Sequence, residues 1–144
     1  MRYDGRTVPA LGRTVLSTFS VISVIDDDQS VRAATTNLLS SHGYVVHTFA
    51  SAEEFLRSTH LDETSCVVAD VQMPGMSGLD LLTHLRGQGY PAPFIFITAF
   101  PEESVRDRAL KAGAICFLAK PFAGPILIKC LITALKGGGG GAGS

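Results

Sequence analysis

Five short runs of apolar residues recur along the chain, and more polar stretches separate them. The runs cover residues 21–25, 44–49, 66–69, 94–97 and 115–118. Their apolar positions are continuous rather than alternating, which is typical of parallel strands that are covered on both faces. The pattern therefore predicts five β-strands in one parallel sheet.

The stretches between these runs carry apolar side chains at helical spacing. Val31, Thr35, Leu38 and His42 follow one another in steps of four, three and four. The clearest stripe lies near the end of the chain and consists of Leu127, Cys130, Leu131, Ala134 and Leu135. Stripes of this kind predict helical segments between and after the strands. Five βα units of this length predict an α/β fold with a doubly wound sheet.

Local signals mark where these helices begin and end. Residues 51–54 read Ser-Ala-Glu-Glu, the pattern of a capping box, and Pro125 suits the first turn of the last helix. Gly43 and Gly113 follow the first and fourth helices, where a left-handed residue often ends a helix.

The two ends of the chain lack this pattern. Residues 1–19 show neither periodicity nor a motif, which predicts a flexible arm. Residues 137–144 are almost pure glycine, which predicts a flexible tail without regular structure. The expected globular domain therefore covers residues 20–136.

Composition narrows the class of protein. The chain has 144 residues, of which 46% are hydrophobic and 17% charged, and its net charge is −1. These values fit one globular domain with no broad attraction to nucleic acid or anionic membranes. The three cysteines lack the spacing of metal ligands, and a reducing, cytoplasmic compartment fits them best. An apolar stretch follows Arg2, Arg6 and Arg13, but it runs into acidic residues, which argues against an export signal.

Polar residues stand where the predicted strands end. Asp26, Asp27 and Asp28 follow the first strand, and Asp70 follows the third. The carboxyl ends of parallel strands meet at one edge of a sheet, where functional sites gather. Carboxylates brought together there repel one another by about 4 kcal/mol per close pair at an intermediate dielectric. Mg²⁺, which prefers oxygen ligands, removes that repulsion.

Two further polar residues belong to the same edge. Thr98 ends the fourth strand, and Lys120 follows the fifth. An ammonium group, a hydroxyl and a metal ion around one carboxylate form a cradle for phosphoryl oxygens. Asp70 is then expected to be a nucleophile that forms an acyl phosphate. The simpler alternative, in which these acids only cap the following helices, is expected for Asp28 alone.

At these positions the chain resembles the receiver domains of response regulators, and most of all the FixJ and nodulation-regulator type. The resemblance covers residues 20–136. It rests on the blocks Val24-Ile25-Asp26-Asp27-Asp28, Asp70-Val71-Gln72-Met73-Pro74-Gly75-Met76-Ser77-Gly78, Ile97-Thr98-Ala99 and Lys120-Pro121-Phe122. It implies a flavodoxin-like (βα)5 fold with strand order 2-1-3-4-5.

The resemblance also implies a role for each site residue. Asp70 would accept the phosphoryl group. Mg²⁺ would be bound by the carboxylates of Asp27 and Asp70, by Asp26 through water and by the backbone carbonyl of Gln72. Thr98 and Lys120 would contact the phosphoryl group.

The resemblance further implies a switch and a set of partners. Thr98 and the aromatic Phe117 would form the switch, and a cis peptide would precede Pro121. The implied phosphoryl donor is a sensor histidine kinase or a phosphotransfer protein. Phosphorylation would promote a homodimer through the surface of helix four, strand five and helix five, near Phe100, Phe117, Phe122 and the helix of Cys130.

Other functions fit the residues less well. An aspartyl-phosphate phosphatase carries a general acid two residues after its nucleophile, whereas Gln72 stands there. A flavin-binding domain of similar fold would need a phosphate loop after the first strand instead of three acids. A receiver-like module that works without phosphorylation remains an alternative. So does a receiver cut from a longer DNA-binding regulator, although nothing basic follows Lys136 and no nucleic-acid binding by this chain is expected.

Overall fold

The computed structural model describes residues 20–140, with side chains described as far as Lys136. Ten elements alternate along this part of the chain. The strands are β1 (Val21–Ile25), β2 (Val45–Phe49), β3 (Cys66–Asp70), β4 (Phe94–Thr98) and β5 (Cys116–Ala119). The helices are α1 (Gln29–Ser41), α2 (Ala52–Arg57), α3 (Gly78–Gly87), α4 (Glu103–Lys111) and α5 (Gly124–Gly140).

All five strands are parallel and follow the order β2-β1-β3-β4-β5. The predicted doubly wound, flavodoxin-like sheet is therefore confirmed. Val24, Val68 and Ile95 pair across β1, β3 and β4, and all three are fully buried. The central strands are covered on both faces, which explains their unbroken apolar runs.

Successive residues of the central strands feed two separate cores. Phe94 and Phe96 of β4 pack with the core formed by α2, α3 and α4, whereas Ile95 and Ile97 pack with the core formed by α1 and α5. This alternation follows from the pleat of a strand, which points neighbouring side chains to opposite faces. Because apolar side chains fill both cores, we expect the polar functional residues at the edge where the strands end.

Most helix ends agree with the sequence. Gly43 and Gly113 have φ angles of +90° and +108°, as expected for residues that follow a helix in the left-handed conformation. Ser51 caps α2 by accepting the backbone N–H of Glu54, but the Glu54 carboxylate accepts from Ala50 rather than from Ser51. The predicted capping box is thus only half formed, because the Glu54 side chain reaches one residue further back.

The predicted element boundaries differ from the structure at a few positions. Strands β3, β4 and β5 each run one residue beyond the apolar runs, and Asp70 and Thr98 are the last residues of β3 and β4, as expected. At the other end, α5 continues to Gly140, four residues into the segment predicted to lack regular structure. Each glycine weakens a helix by about 1 kcal/mol, which does not prevent a helix anchored by Leu127, Leu131 and Ala134 from extending.

The predicted arm over residues 1–19 and the last four residues of the predicted tail lie outside the described residues. Within residues 20–140, no helix is long and apolar enough to cross a membrane.

Candidate functional site

The structure brings the predicted acidic residues together at the carboxyl edge of the sheet. One carboxylate oxygen each of Asp26, Asp27 and Asp70 lies within 4.8 Å of the other two. Asp26 and Asp70 are buried at the ends of β1 and β3, and Asp27 is exposed. Asp28 stands apart as the N-cap of α1, where its carboxylate accepts the backbone N–H of Ser30. The capping role predicted for Asp28 is confirmed.

Asp26 is the most deeply buried of these acids, with no exposed surface. Its Oδ1 accepts the backbone N–H of Asp28 at 2.9 Å. Its Oδ2 lies 2.8 Å from the ammonium nitrogen of Lys120 and forms an ion pair with it. Burial raises the pKa of Asp26, and the nearby charge of Asp70 acts in the same direction, while Lys120 opposes both.

Lys120 holds two carboxylates with one ammonium group. Its Nζ donates to Oδ2 of Asp70 at 2.8 Å and lies at the same distance from Asp26. Its backbone N–H donates to the carbonyl of Thr98 at 2.7 Å, which fixes where the side chain starts. Burial alone lowers the pKa of Lys120, but the hydrogen bonds to Asp26 and Asp70 outweigh it and raise the pKa. The lysine therefore stays charged.

The segment after Asp70 turns sharply back toward the sheet. Oδ1 of Asp70 accepts the backbone N–H of Gln72 at 2.9 Å, and the N–H of Gly78 donates to the carbonyl of Val71. A Cβ at Gly78 would lie 2.3 Å from the backbone oxygen of Asp70 and 3.0 Å from Phe96. Only glycine allows α3 to begin this close to Asp70, a role that the sequence pattern does not reveal.

Glu53 is a second site-supporting residue that sequence reasoning missed. Its carboxylate, at the start of α2, accepts the backbone N–H of Met76 at 2.9 Å across 23 residues. This bond is the main cause that lowers the pKa of Glu53. The same oxygen would lie 2.8 Å from a Cβ at Gly75, whose φ is +78°. Glu53 thus holds the turn between Asp70 and α3 in place.

Thr98 ends β4 and is almost fully buried. Its Oγ1 accepts the backbone N–H of Phe100 at 3.1 Å. Among the described residues, the Thr98 hydroxyl hydrogen has no acceptor, so it is available as a donor. The structure places this hydroxyl at the end of the strand next to β3, which ends in Asp70.

The three aromatic residues near this edge have different surroundings. Phe117 is half-buried on β5, where it packs against the α2–α3–α4 core and lines an open groove beside Pro101 and Arg106. Phe122 packs against the opposite core, and Phe100 is 65% exposed. The peptide between Lys120 and Pro121 is cis, as the resemblance implies.

Comparison with known proteins identifies the family. The family model for the response regulator receiver domain matches residues 22–132. The chain belongs to this family. Receiver domains are signalling domains of two-component systems, and they work with a histidine kinase as their general partner.

Individual relatives agree with this membership. This receiver is 44% identical to nodulation protein W of Bradyrhizobium diazoefficiens over 125 residues, which are 87% of this chain and 55% of that protein. It is 39% identical to the response regulator protein TodT of Pseudomonas putida over 117 residues, which are 81% of this chain and 52% of that protein. The receiver thus spans about half the length of the curated relatives that it matches.

The crystal structure of FixJ-N has the same fold. It superposes with a TM-score of 0.73 at 31% identity, covering 81% of this chain and 94% of that chain. The resemblance to receivers of the FixJ and nodulation-regulator type is therefore confirmed.

The acidic residues of this receiver fit a hard divalent cation. Asp26, Asp27 and Asp70 offer oxygen atoms within a single 4.8 Å cluster, which is the donor chemistry that Mg²⁺ prefers. Receiver domains generally depend on Mg²⁺, and the residues present here suit it.

Proposed function

We propose that Asp70 accepts a phosphoryl group from a sensor histidine kinase or a phosphotransfer protein in a reaction that requires Mg²⁺. The observation that carries this proposal is the contact of Lys120 with Asp70 and Asp26 at 2.8 Å each. Two buried carboxylates share one ammonium group, so their oxygen atoms can still bind a further cation beside a fixed positive charge. A purely structural ion pair needs neither the second carboxylate nor the exposed Asp27 beside it.

The reaction transfers a phosphoryl group from a histidine nitrogen to a carboxylate oxygen of Asp70. A carboxylate oxygen of Asp70 attacks the phosphorus of a phosphohistidine, and the phosphorus–nitrogen bond breaks as its electron pair returns to the imidazole. The product is an acyl phosphate on Asp70. Lys120 and Thr98 then donate hydrogen bonds to phosphoryl oxygens, and charge-assisted bonds of this kind are worth about 2 kcal/mol each.

The metal ligands in this proposal are Asp26, Asp27, Asp70 and the backbone carbonyl of Gln72. Mg²⁺, when bound, supplies positive charge that offsets the repulsion between these carboxylates and the incoming phosphoryl oxygens. Asp26 is held in position by the N–H of Asp28, and Asp70 by the N–H of Gln72. The two buried carboxylates are therefore preorganised by backbone donors of the adjacent loops.

The switch in this proposal joins Thr98 to Phe117. Donation from the Thr98 hydroxyl to the phosphoryl group draws the end of β4 toward Asp70 and vacates space beside β5. The ring of Phe117, which lines an open groove next to α4, then rotates inward. Because Phe117 carries no hydroxyl, its inward state needs no buried polar partner. The β4–α4 surface thereby senses the phosphoryl group.

Acetyl phosphate tests the phosphoacceptor directly. With Mg²⁺, the wild-type chain should gain the mass of one phosphoryl group, and Asp70→Asn should gain none. Asp62→Asn, which alters an exposed acid in the connection between α2 and β3, serves as the control and should react like the wild type. Removal of Mg²⁺ with a chelator should abolish the reaction. Equal labelling of Asp70→Asn would refute the assignment.

We also propose what the chain does not do by itself. It has no function as an enzyme on an external substrate, because Gln72 stands where an aspartyl-phosphate phosphatase carries its general acid. Residues 20–136 bind no nucleic acid directly, and the absence of a disulfide among the three cysteines of the described residues fits a cytoplasmic location. Mobility-shift experiments with and without phosphorylation test the second of these statements.

A homodimer promoted by phosphorylation is the remaining part of the proposal. Exposed apolar side chains lie on or beside α4, β5 and α5, namely Phe100, Leu110, Ile115, Ile126 and Ile132. Apolar side chains exposed in one region favour association with a second copy when the switch reshapes that surface.

A further inference from the structure

A second cluster of metal-ligating side chains lies away from the acidic site. Among the residues that the structure describes, it consists of His47, His60 and Glu63, with one ligand atom of each within 4.8 Å of the others. His47 is the middle residue of the edge strand β2, and the other two belong to the connection between α2 and β3. Two segments, β2 and the connection between α2 and β3, therefore form this cluster.

We propose that His47, His60 and Glu63 bind a divalent transition-metal ion, with Zn²⁺ as the occupant. Two imidazole nitrogens and one carboxylate oxygen are a donor set that suits Zn²⁺, which accepts nitrogen and oxygen ligands. Mg²⁺ prefers an all-oxygen set, which the acidic site offers instead. The two clusters thus differ in the ion that their donor atoms select.

The three ligand atoms lie close enough together to converge on one ion. Oε2 of Glu63 lies 3.6 Å from Nε2 of His47 and contacts Nδ1 of His60. A tetrahedral ion with bonds of about 2.05 Å holds its ligand atoms about 3.3 Å apart. The two imidazole rings are stacked, with centroids 3.7 Å apart and planes at 16°. Binding of one ion requires these rings to rotate out of the stacked arrangement, because a metal ion lies in the plane of each imidazole that binds it.

The backbone at His60 is held by buried hydroxyl groups. Thr64 donates from its hydroxyl to the His60 carbonyl at 2.7 Å, and its oxygen lies 2.7 Å from the hydroxyl of Ser23. The His60 N–H donates to the hydroxyl of Ser58 at 3.2 Å. Ser23 is the partner of His47 in the β1–β2 register, so this chain of hydroxyls ties His60 to the strand beside His47. Such support keeps both histidines close before an ion arrives.

Solvent reaches the cluster, and the acidic site lies some distance away. The side chains of His47, His60 and Glu63 are 28%, 37% and 48% exposed, so an ion can approach without unfolding the chain. Asp26 follows the register partner of His47 by three residues, which is about 10 Å along a strand. Binding at the two clusters should therefore be separable.

Calorimetric titration of the full chain with Zn²⁺, in excess Mg²⁺ that occupies the acidic site, tests the proposal. The wild type should bind one Zn²⁺ ion. His47→Gln and His60→Gln should each weaken this binding by at least about tenfold, since each removes one of three protein ligands. His42→Gln, at the C-cap of α1, and His84→Gln, on α3, are matched controls at exposed positions and should bind as the wild type does.

Ring resonances of the wild type give a second readout that needs no variant. Zn²⁺ should shift the ring protons of His47 and His60 and leave those of His84 in place, and Mg²⁺ should shift none of them. Zn²⁺ binding that excess Mg²⁺ abolishes, unchanged affinity in both variants, or unmoved His47 and His60 resonances would each overturn the proposal. Phosphorylation of Asp70 should proceed in His47→Gln, so failure of one proposal is distinguishable from failure of the other.

Discussion

The ammonium nitrogen of Lys120 lies 2.8 Å from Oδ2 of Asp70, although fifty residues separate them in the chain. The same nitrogen contacts Asp26, so one cation is shared by two buried carboxylates. In the proposed function, the charge of Lys120 therefore contributes both to the stability of the site and to its chemistry.

Replacement of this lysine should therefore affect both properties. Lys120→Met leaves Asp26 and Asp70 facing each other without a cation, and should destabilise the metal-free chain by about 3 kcal/mol. It should also slow phosphorylation by acetyl phosphate. Urea unfolding and the labelling rate measure the two effects. Lys129→Met, on the exposed face of α5, is the control, and equal stability of both variants would contradict the shared-cation arrangement.

Burial of Asp26 should give the metal-free chain a distinctive pH dependence. The pKa of Asp26 is raised above its usual 3.8, so the folded chain binds this proton more tightly than the unfolded chain. The resulting stability is present below pH 3.8 and is lost as the pH rises through the raised pKa. The Asp26→Asn variant should lose less free energy of unfolding than the wild type over this pH interval. Urea unfolding in the presence of a chelator measures this difference.

Asp28 supplies a control whose contribution to stability should change with pH in the opposite direction. Hydrogen bonds from Ser30 lower the pKa of Asp28, so its contribution is present above pH 3.8 and is lost as the pH falls. Asp28→Asn keeps a good N-cap residue but removes this gain. If Asp26→Asn and Asp28→Asn changed the pH profile in the same direction, the environment assigned to Asp26 would be wrong.

Two glycines of α3 should respond in opposite ways to alanine. Gly78→Ala places a Cβ 2.3 Å from the carbonyl oxygen of Asp70, and should destabilise the chain by about 2 kcal/mol and slow phosphorylation. Gly87→Ala meets no atom within 4 Å and should stabilise the chain by about 0.5 kcal/mol. Thermal unfolding of both variants checks the pair, and a stable, fully active Gly78→Ala would contradict the close approach.

The proposed switch predicts a separation of phosphorylation from its response. Thr98→Ala should still accept phosphate on Asp70 but should lose the response of α4, because the donor that draws β4 inward is gone. Thr98→Ser keeps the hydroxyl and should respond like the wild type. Amide chemical shifts with and without beryllofluoride measure this, and full movement of the α4 resonances in Thr98→Ala would disprove the coupling.

Association of two copies should depend on the exposed apolar residues. Light scattering should show a larger mass with beryllofluoride than without it, and Ile126→Ser should reduce this increase. Ile126 is 50% exposed on α5. Val45→Ser, which changes a 40% exposed residue on the opposite edge strand β2, should leave association intact. A monomer under both conditions at high concentration would remove the dimer from the proposal.

The local pattern of apolar and polar residues was sufficient to predict much of the fold. The apolar runs located all five strands to within one residue at each end, because a buried strand needs consecutive apolar side chains. The residues that end these strands identified the site edge, since parallel strands deliver their carboxyl ends to the same side. The prediction for the end of α5 was wrong, because the low helix propensity of glycine does not take account of the packing that anchors a helix.

The sequence by itself thus determined the sheet, its two apolar faces and the acidic residues at its edge, because these follow from the spacing of side chains along the chain. Only the tertiary structure decided which distant groups meet. Lys120 bridges Asp26 and Asp70, Glu53 holds Met76, and His47 stacks on His60 because the packing of separate segments sets those distances. Contacts of this kind depend on the fold as a whole, and no local pattern encodes them.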